Sequence, residues 1–85
     1  MAYAIQFKPA ALRQFEKLPR DPQKRIASKI QRLRDDPFPS GCKKLFGEPD
    51  TWRVRVGDYR VIYRVDRGVL LILVVNIGHR RDVYR

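Results

Sequence analysis

Three arginines near the middle of the chain have the spacing of an anion-binding site. They occupy positions 53, 55 and 60. The two-residue period of a β-strand puts Arg53 and Arg55 on one face. Gly57 and Asp58 predict a tight hairpin turn, which places Arg55 directly opposite Arg60. Like charges opposite each other destabilise a sheet, whereas the planar guanidinium fork fits a phosphate group. The arginine cluster is therefore either a tolerated electrostatic cost or a site that binds an anion such as phosphate.

A second hairpin brings the C-terminal segment to the same place. If its turn has two loop residues, Arg67 and Gly68, then Arg60 lies opposite Val75, and a three-residue loop would shift that register. The strand that follows this second turn then ends beside the Gly57-Asp58 turn. There the chain leaves the sheet with four candidate residues: His79, Arg80, Arg81 and Tyr84. We predict that one concave surface collects the following side chains: Arg53, Arg55, Arg60, Arg80 and Tyr84.

Such a surface suits cleavage of a phosphodiester through the ribose 2′-hydroxyl. It has no carboxylate pair, no serine–histidine arrangement and no metal-ligand cluster, so we predict neither a metal nor a cofactor. Arginines would stabilise the charge that develops on the phosphorane. Tyr84 is a candidate general base if neighbouring cations lower its pKa. His79, with an ordinary pKa near neutrality, is the other candidate, or else an exposed residue beside a glycine.

Composition indicates a small folded domain with an anionic partner. The chain has 85 residues, a formal net charge of +10 and 44% hydrophobic residues. We expect one domain over residues 1–85, bound to a polyanion or carrying a solvated basic surface. The single cysteine, Cys42, suits a reducing compartment. No signal peptide is evident, and the longest apolar run, residues 69–75, is too short for a bilayer. We expect a soluble, cytoplasmic protein without a membrane partner.

The periodicities predict an α+β fold with the order βααβββ. A strand over residues 2–7 precedes a helix that begins at Pro9. A second helix starts at an Asp21 cap followed by Pro22 and runs toward Asp35. After a loop at 36–41 and a short edge segment at 43–45, strands are expected at 51–56, 59–65 and 69–77. The third of these is apolar on both faces and should lie centrally. We predict an antiparallel sheet with the two N-terminal helices packed on one face.

Several basic and aromatic side chains outside this cluster have two interpretations. Those of the second helix form a basic face that either is solvated or contacts RNA: Lys24, Arg25, Lys29 and Arg32. The other predicted RNA contacts are Lys43, Lys44, His79 and Arg81. Trp52 and Tyr63 either stack on bases or belong to the core, and alternation favours the core for Trp52.

Together these segments resemble the RelE/ParE toxin superfamily, and within it the RelE-type mRNA interferases. The resemblance covers almost the whole chain: the MAYAIQF strand, the two helices, KKLFGEPDTWRVRVGDYRVIYRV and the terminal NIGHRRDVYR. The combined pattern of leucine-x-glycine, paired basic residues, G-x-Y-R-V-x-Y and G-x-R followed by V-Y is specific, although any single piece would be weak.

The resemblance implies a toxin that enters the ribosomal A site and cuts mRNA without a metal, and that is neutralised by an acidic antitoxin. Arg60 and Arg80 match the catalytic arginines of the family, and Tyr84 matches its C-terminal tyrosine. Arg53 and Arg55 match two positions that are lysines in well-studied members. Arginine does not lose its proton in proteins, so Arg53 suits a phosphate clamp better than a base.

Two other functions stay open at this point. A ParE-like toxin of the same fold would inhibit DNA gyrase without enzymatic activity, although such members generally lack this basic-plus-tyrosine set. An inactive or regulatory nucleic-acid-binding module would also fit the composition. The kind of macromolecular synthesis that stops first on induction separates the three.

Overall fold

The computed structural model describes residues 2–79, and these build a sheet of five strands with two helices. The strands are β1 (Ala4–Phe7), β2 (Lys43–Lys44), β3 (Thr51–Val56), β4 (Tyr59–Asp66) and β5 (Leu71–His79), and the helices are α1 (Pro9–Glu16) and α2 (Arg20–Leu33). The order across the sheet is β1-β5-β4-β3-β2. The predicted α+β class and the central position of the apolar last strand are confirmed.

Strand β1 makes the sheet mixed, whereas an antiparallel sheet was predicted. It pairs in parallel with β5, and Ile5 lies beside Ile72. The other three pairings are antiparallel. Parallel neighbours need a long crossover connection, and the path from β1 to β5 includes both helices and the hairpins. The local hairpin signals that identified β3, β4 and β5 carry no information about such a distant pairing.

The core lies between the helices and one face of the sheet. Helix α1 contributes Ala11, and α2 contributes Ile26, Ile30 and Leu33, all buried. Alternate strand residues complete this cluster: Val54, Val61, Tyr63, Val65, Ile72, Val74 and Ile77. We call the opposite sheet face, which neither helix covers, the outer face. By alternation it carries Arg53, Arg55 and Arg60.

Helix α2 starts earlier than predicted. Its first residue is Arg20, with Pro19 rather than Asp21 at the N-cap and no side-chain cap. The N–H of Gln23 donates to the Pro19 carbonyl at 3.0 Å. Pro22 therefore lies within the first turn, where a backbone N–H has no intrahelical acceptor and proline costs little. Neither helix in residues 2–79 is both long and apolar enough to cross a membrane.

The β4–β5 turn is longer than predicted, so the predicted register is wrong. Asp66 pairs with Leu71, which leaves four residues in the turn. The Asp66 Oδ1 atom accepts hydrogen bonds from the N–H groups of Gly68 and Val69, at 2.9 and 3.2 Å. Leu70 has a φ of +55°, which no strand residue adopts. The strand expected from residue 69 thus begins at Leu71.

A β-bulge shifts the register again beside the predicted site. Ile62 pairs with Asn76, but Tyr63 pairs with Val74, so Val75 is the extra residue. Bulges re-aim side chains and increase local twist. The longer turn and the bulge together place Arg60 opposite Gly78 and not opposite Val75.

Candidate functional site

Four basic side chains line one cleft on the outer face. The cleft encloses about 230 Å³, and its lining residues are Gly41, Lys43, Arg53, Arg55 and Arg60. We call it the arginine cleft. The predicted pairing of Arg55 with Arg60 is confirmed, and Lys43 of the edge strand pairs with Arg53. Three adjacent strands thus each present a cation at the same place.

Two glycines leave room around these cations. Gly78 is the partner of Arg60 on β5, so no side chain stands beside the guanidinium on that strand. A Cβ at position 78 would lie 3.4 Å from the Asn76 side-chain oxygen. Gly41 has a φ of +90° and precedes Lys43, which lines the arginine cleft on the side away from Gly78. Neither glycine was among the predicted site residues, and only the register of β4 against β5 reveals the role of Gly78.

The charged side chains that line the arginine cleft are all positive. Its lining contains no carboxylate. Arg55 Nε donates to the Gly57 carbonyl oxygen at 3.3 Å, so this guanidinium is held at the end of the hairpin, where Gly57 adopts a φ of +59°. Like charges held together on a rigid sheet are destabilising until an anion binds between them. The geometry therefore provides a site that has room for a phosphate group and offers it charge-assisted donors.

A second basic cleft adjoins the first through Arg55. It encloses about 440 Å³ between α2 and β3, and it is lined by Lys24, Arg25, Ser28, Lys29, Arg32, Arg55 and Val56. All four basic residues predicted on the second helix lie here. A Cβ at Gly57 would lie 3.8 Å from Arg25 Nη1, which places that guanidinium over the β3–β4 turn. The two basic clefts therefore meet at Arg55, which lines both of them.

Two of the predicted RNA contacts lie away from the arginine cleft. His79 ends β5 opposite Tyr59, and its ring packs edge-on against that tyrosine at 5.0 Å between centroids. Tyr59 packs against the core, so both rings lie on the helix side of the sheet. Lys44 pairs with Trp52 and points away from the outer face. This geometry disfavours His79 as a base for chemistry beside Arg60.

The remaining predicted residues, Arg80, Arg81 and Tyr84, lie outside the described residues. The chain reaches them directly after His79, one position beyond the pair formed by Arg60 and Gly78. Their proposed roles therefore stay predictions.

Tyr63 is a core residue, and the alternative that it stacks on bases is wrong. It is fully buried, and its hydroxyl donates to the Pro37 carbonyl oxygen at 2.7 Å. Burial is the main cause that raises its pKa far above the ordinary value, and Cys42 and Asp36 add to it. Trp52 also packs against the core, and its ring meets Phe38 edge-on at 4.7 Å.

We expect inorganic phosphate to stabilise the folded protein through the arginine cleft. An anion that binds only the folded state raises the free energy of unfolding and therefore the melting temperature. A stabilisation of about 1 kcal/mol corresponds to about 4–8 °C in a small domain. Scanning calorimetry in phosphate and in chloride of equal ionic strength measures the difference. Arg60→Ala should abolish it, whereas Arg13→Ala, which removes an exposed charge from α1, should retain it. Equal melting temperatures of the wild type in both salts would contradict the assignment.

Comparisons with known proteins define the class of this chain. A family model described as "ParE toxin of type II toxin-antitoxin system, parDE" matches residues 5–84. A putative RelE-like toxin protein of Escherichia coli is 35% identical, over 99% of this chain and 92% of that protein. The mRNA interferase toxin RelE of Escherichia coli K12 is 27% identical, again over 99% of this chain and 92% of its own length. The chain therefore belongs to the RelE/ParE superfamily of type II toxin–antitoxin toxins.

Solved structures agree with this assignment. The archaeal RelE–RelB complex from Pyrococcus horikoshii contains a chain with a TM-score of 0.84 and 27% identity, which covers 98% of this chain and 100% of that one. The RelBE2 toxin–antitoxin complex of Mycobacterium tuberculosis gives a TM-score of 0.82 at 27% identity, with coverage of 94% and 100%. Within the superfamily the chain is a toxin of the RelE family.

Proposed function

We propose that this toxin is a ribosome-dependent endoribonuclease that cuts mRNA in the ribosomal A site and so inhibits translation. The observation that carries the proposal is the arginine cleft, which gathers four cations and no carboxylate on the uncovered sheet face. The name of the Escherichia coli relative, mRNA interferase, supports the same chemistry. The two relatives from Escherichia coli carry RelE names, which favours the nuclease over a gyrase inhibitor.

In the proposed reaction the ribose 2′-oxygen attacks the adjacent phosphorus while the bond to the 5′-oxygen breaks. A base accepts the 2′-hydroxyl proton, and an acid supplies a proton to the leaving 5′-oxygen. The products are a 2′,3′-cyclic phosphate and a 5′-hydroxyl. No metal takes part in this scheme. The negative charge on the non-bridging oxygens grows in the transition state, which is where fixed guanidinium donors act most strongly.

We assign roles to the residues on this basis. Arg53, Arg55 and Lys43 clamp the phosphate, and Arg60 and Arg80 stabilise the charge of the transition state. Tyr84 is the general base, because arginine keeps its proton and His79 packs on the other side of the sheet. Tyr63 does not serve, since it is buried and protonated.

The second basic cleft, which adjoins the arginine cleft, would bind the ribosome. Lys24, Arg25, Lys29 and Arg32 lie around the second basic cleft, where they would bind ribosomal RNA phosphates. Arg81, which lies outside the described residues, is proposed from the sequence as a further RNA contact. Binding of this kind releases counterions and weakens steeply as salt rises. A cytoplasmic toxin of this type needs an inhibitor, and the charge of +10 favours an acidic antitoxin. A similar solved structure is a complex of RelE with RelB, which supports a protein inhibitor.

We expect Tyr84→Phe to lower single-turnover cleavage of ribosome-bound mRNA by about 10²-fold, within the range for loss of a general base. The substitution keeps the ring and removes the titratable hydroxyl, so ribosome binding should be nearly unchanged. Rapid-quench assays with excess toxin over programmed ribosomes separate the two effects. His79→Ala serves as the comparison and should cleave normally. An unchanged rate in Tyr84→Phe together with a large loss in His79→Ala would reverse the assignment of the base.

A further inference from the structure

An exposed aromatic ring has no role in the proposed mechanism, although it lies in the loop that follows Lys43 and Lys44 of the edge strand. Phe46 is fully exposed. Among the described residues, the other large hydrophobic side chains that are exposed are Leu12 and Val69, and neither is aromatic. Phe46 lies in the loop between β2 and β3. That loop is held in place because the Leu45 N–H donates to the Thr51 carbonyl oxygen at 2.8 Å. A fully exposed apolar ring on an anchored loop suggests a surface built for contact.

Phe46 forms one wall of a hollow on the outer face. The hollow encloses about 470 Å³ and is lined by Lys8, Phe46, Glu48, Ile62, Arg64 and Val75, among others. We call it the Phe46 hollow. It holds two cations against the single carboxylate of Glu48. Its net charge therefore has the same sign as that of the arginine cleft.

The strand register makes the two cavities neighbours. Arg60, Ile62 and Arg64 alternate along β4 and all lie on the outer face. Ile62 pairs with Arg53, a wall of the arginine cleft, and is itself a wall of the Phe46 hollow. The Cα atoms of Arg60 and Arg64 are about 13 Å apart at about 3.3 Å per strand residue. This distance puts Arg64 beyond a phosphate bound at Arg60 and within reach of an adjoining nucleotide.

We propose that the Phe46 hollow is a nucleotide subsite next to the scissile phosphate, where Phe46 stacks on a base and Arg64 binds the attached phosphate. This inference rests on the proposed nuclease function. A planar ring and a guanidinium that line one hollow, next to a phosphate site, match the alternation of base and phosphate in a single RNA strand. Stacking is tolerant of sequence, so the subsite adds affinity and favours the bases that stack most strongly, the purines.

The test uses the full-length toxin and ribosomes programmed with mRNA, under single-turnover conditions. We measure the toxin concentration for half-maximal cleavage and the maximal rate for Phe46→Leu, Phe46→Trp and Arg64→Ala. Loss of one stacked base corresponds to about fivefold or more in affinity. Phe46→Leu and Arg64→Ala should raise the half-maximal concentration by at least that factor and leave the maximal rate unchanged. Phe46→Trp should behave like the wild type, because it keeps an aromatic face. Val69→Ala and Arg13→Ala are the matched controls for exposed apolar and basic side chains.

The outcomes separate this inference from the function on which it rests. If the wild type cleaves and Phe46→Leu and Arg64→Ala match it, the subsite is absent while the nuclease function stands. If the wild type cleaves no ribosome-bound mRNA, both proposals fail. Equal activity of Phe46→Leu and Phe46→Trp at a raised half-maximal concentration would replace stacking by a shape requirement and overturn the proposal. Normal cleavage with weakened inhibition by the co-expressed antitoxin would instead identify the hollow as an antitoxin contact.

Discussion

Arg60→Ala should lower cleavage of ribosome-bound mRNA by about 10²-fold or more, the cost of losing one preorganised transition-state donor. Arg60 is half-exposed and lies opposite Arg55, so its removal also relieves a repulsion between like charges. Stability should therefore change by about 0.5 kcal/mol or less. Single-turnover cleavage and urea unfolding of the same preparations measure the two quantities.

Arg60→Lys is the informative companion variant. It keeps the charge and loses the two-pronged donor, so cleavage should fall between that of the wild type and that of Arg60→Ala. Arg13→Ala, on α1, removes an exposed charge far from the outer face and should cleave normally. Full activity in Arg60→Ala would remove the arginine cleft from the mechanism.

Tyr63→Ala should lower the free energy of unfolding by about 3–5 kcal/mol, the range for truncation of a large buried aromatic residue. A small domain has a total stability of about 5–15 kcal/mol, so this variant is close to unfolding. The buried ring supports the centre of the sheet, and its hydroxyl fixes Pro37 in the loop that leads to Gly41 and Lys43. Urea titration followed by tryptophan fluorescence measures the loss, because Trp52 is the single tryptophan.

Tyr63→Phe isolates the hydrogen bond, which should contribute about 1 kcal/mol. Tyr59→Phe, which removes a hydroxyl from a half-buried ring, is the control. Because the pKa of Tyr63 is raised in the folded state, its contribution is complete below the ordinary pKa of 10.0 and declines above it. The stability difference between the wild type and Tyr63→Phe should therefore be constant at neutral pH and shrink above about pH 10. Identical unfolding midpoints for the wild type and Tyr63→Phe would contradict this account.

The local part of the site followed from the sequence because it depends on one hairpin. Alternation in β3 and a two-residue turn at Gly57 and Asp58 determine that Arg55 faces Arg60. Both features depend only on residues that are close together in the sequence. The other side of the cleft depends on β5, where the Asp66-capped turn and the bulge at Val75 shift the register. Neither device has a distinct sequence signal, so Gly78 was missed as the partner of Arg60.

The parallel pairing of β1 and the cavity beside Phe46 needed the structure for a related reason. Pairing between residues about seventy positions apart is decided by tertiary packing and not by local propensity. The position of Arg64 on the outer face could have been predicted from alternation, since Arg64 continues the series of Arg60 and Ile62 along β4. The position of Phe46 could not have been predicted, because periodicity carries no information about where a loop side chain points.

The central claim, that the toxin cuts mRNA on the ribosome, is tested most directly by mapping mRNA 5′ ends transcriptome-wide after brief induction. The wild type should produce new ends in phase with the reading frame, and Arg60→Ala expressed to the same level should produce none. The position of the cuts within codons would report the base preference at the same time. Arrest of DNA replication before translation, with no new ends in coding regions, would contradict the nuclease function and favour the gyrase inhibitor.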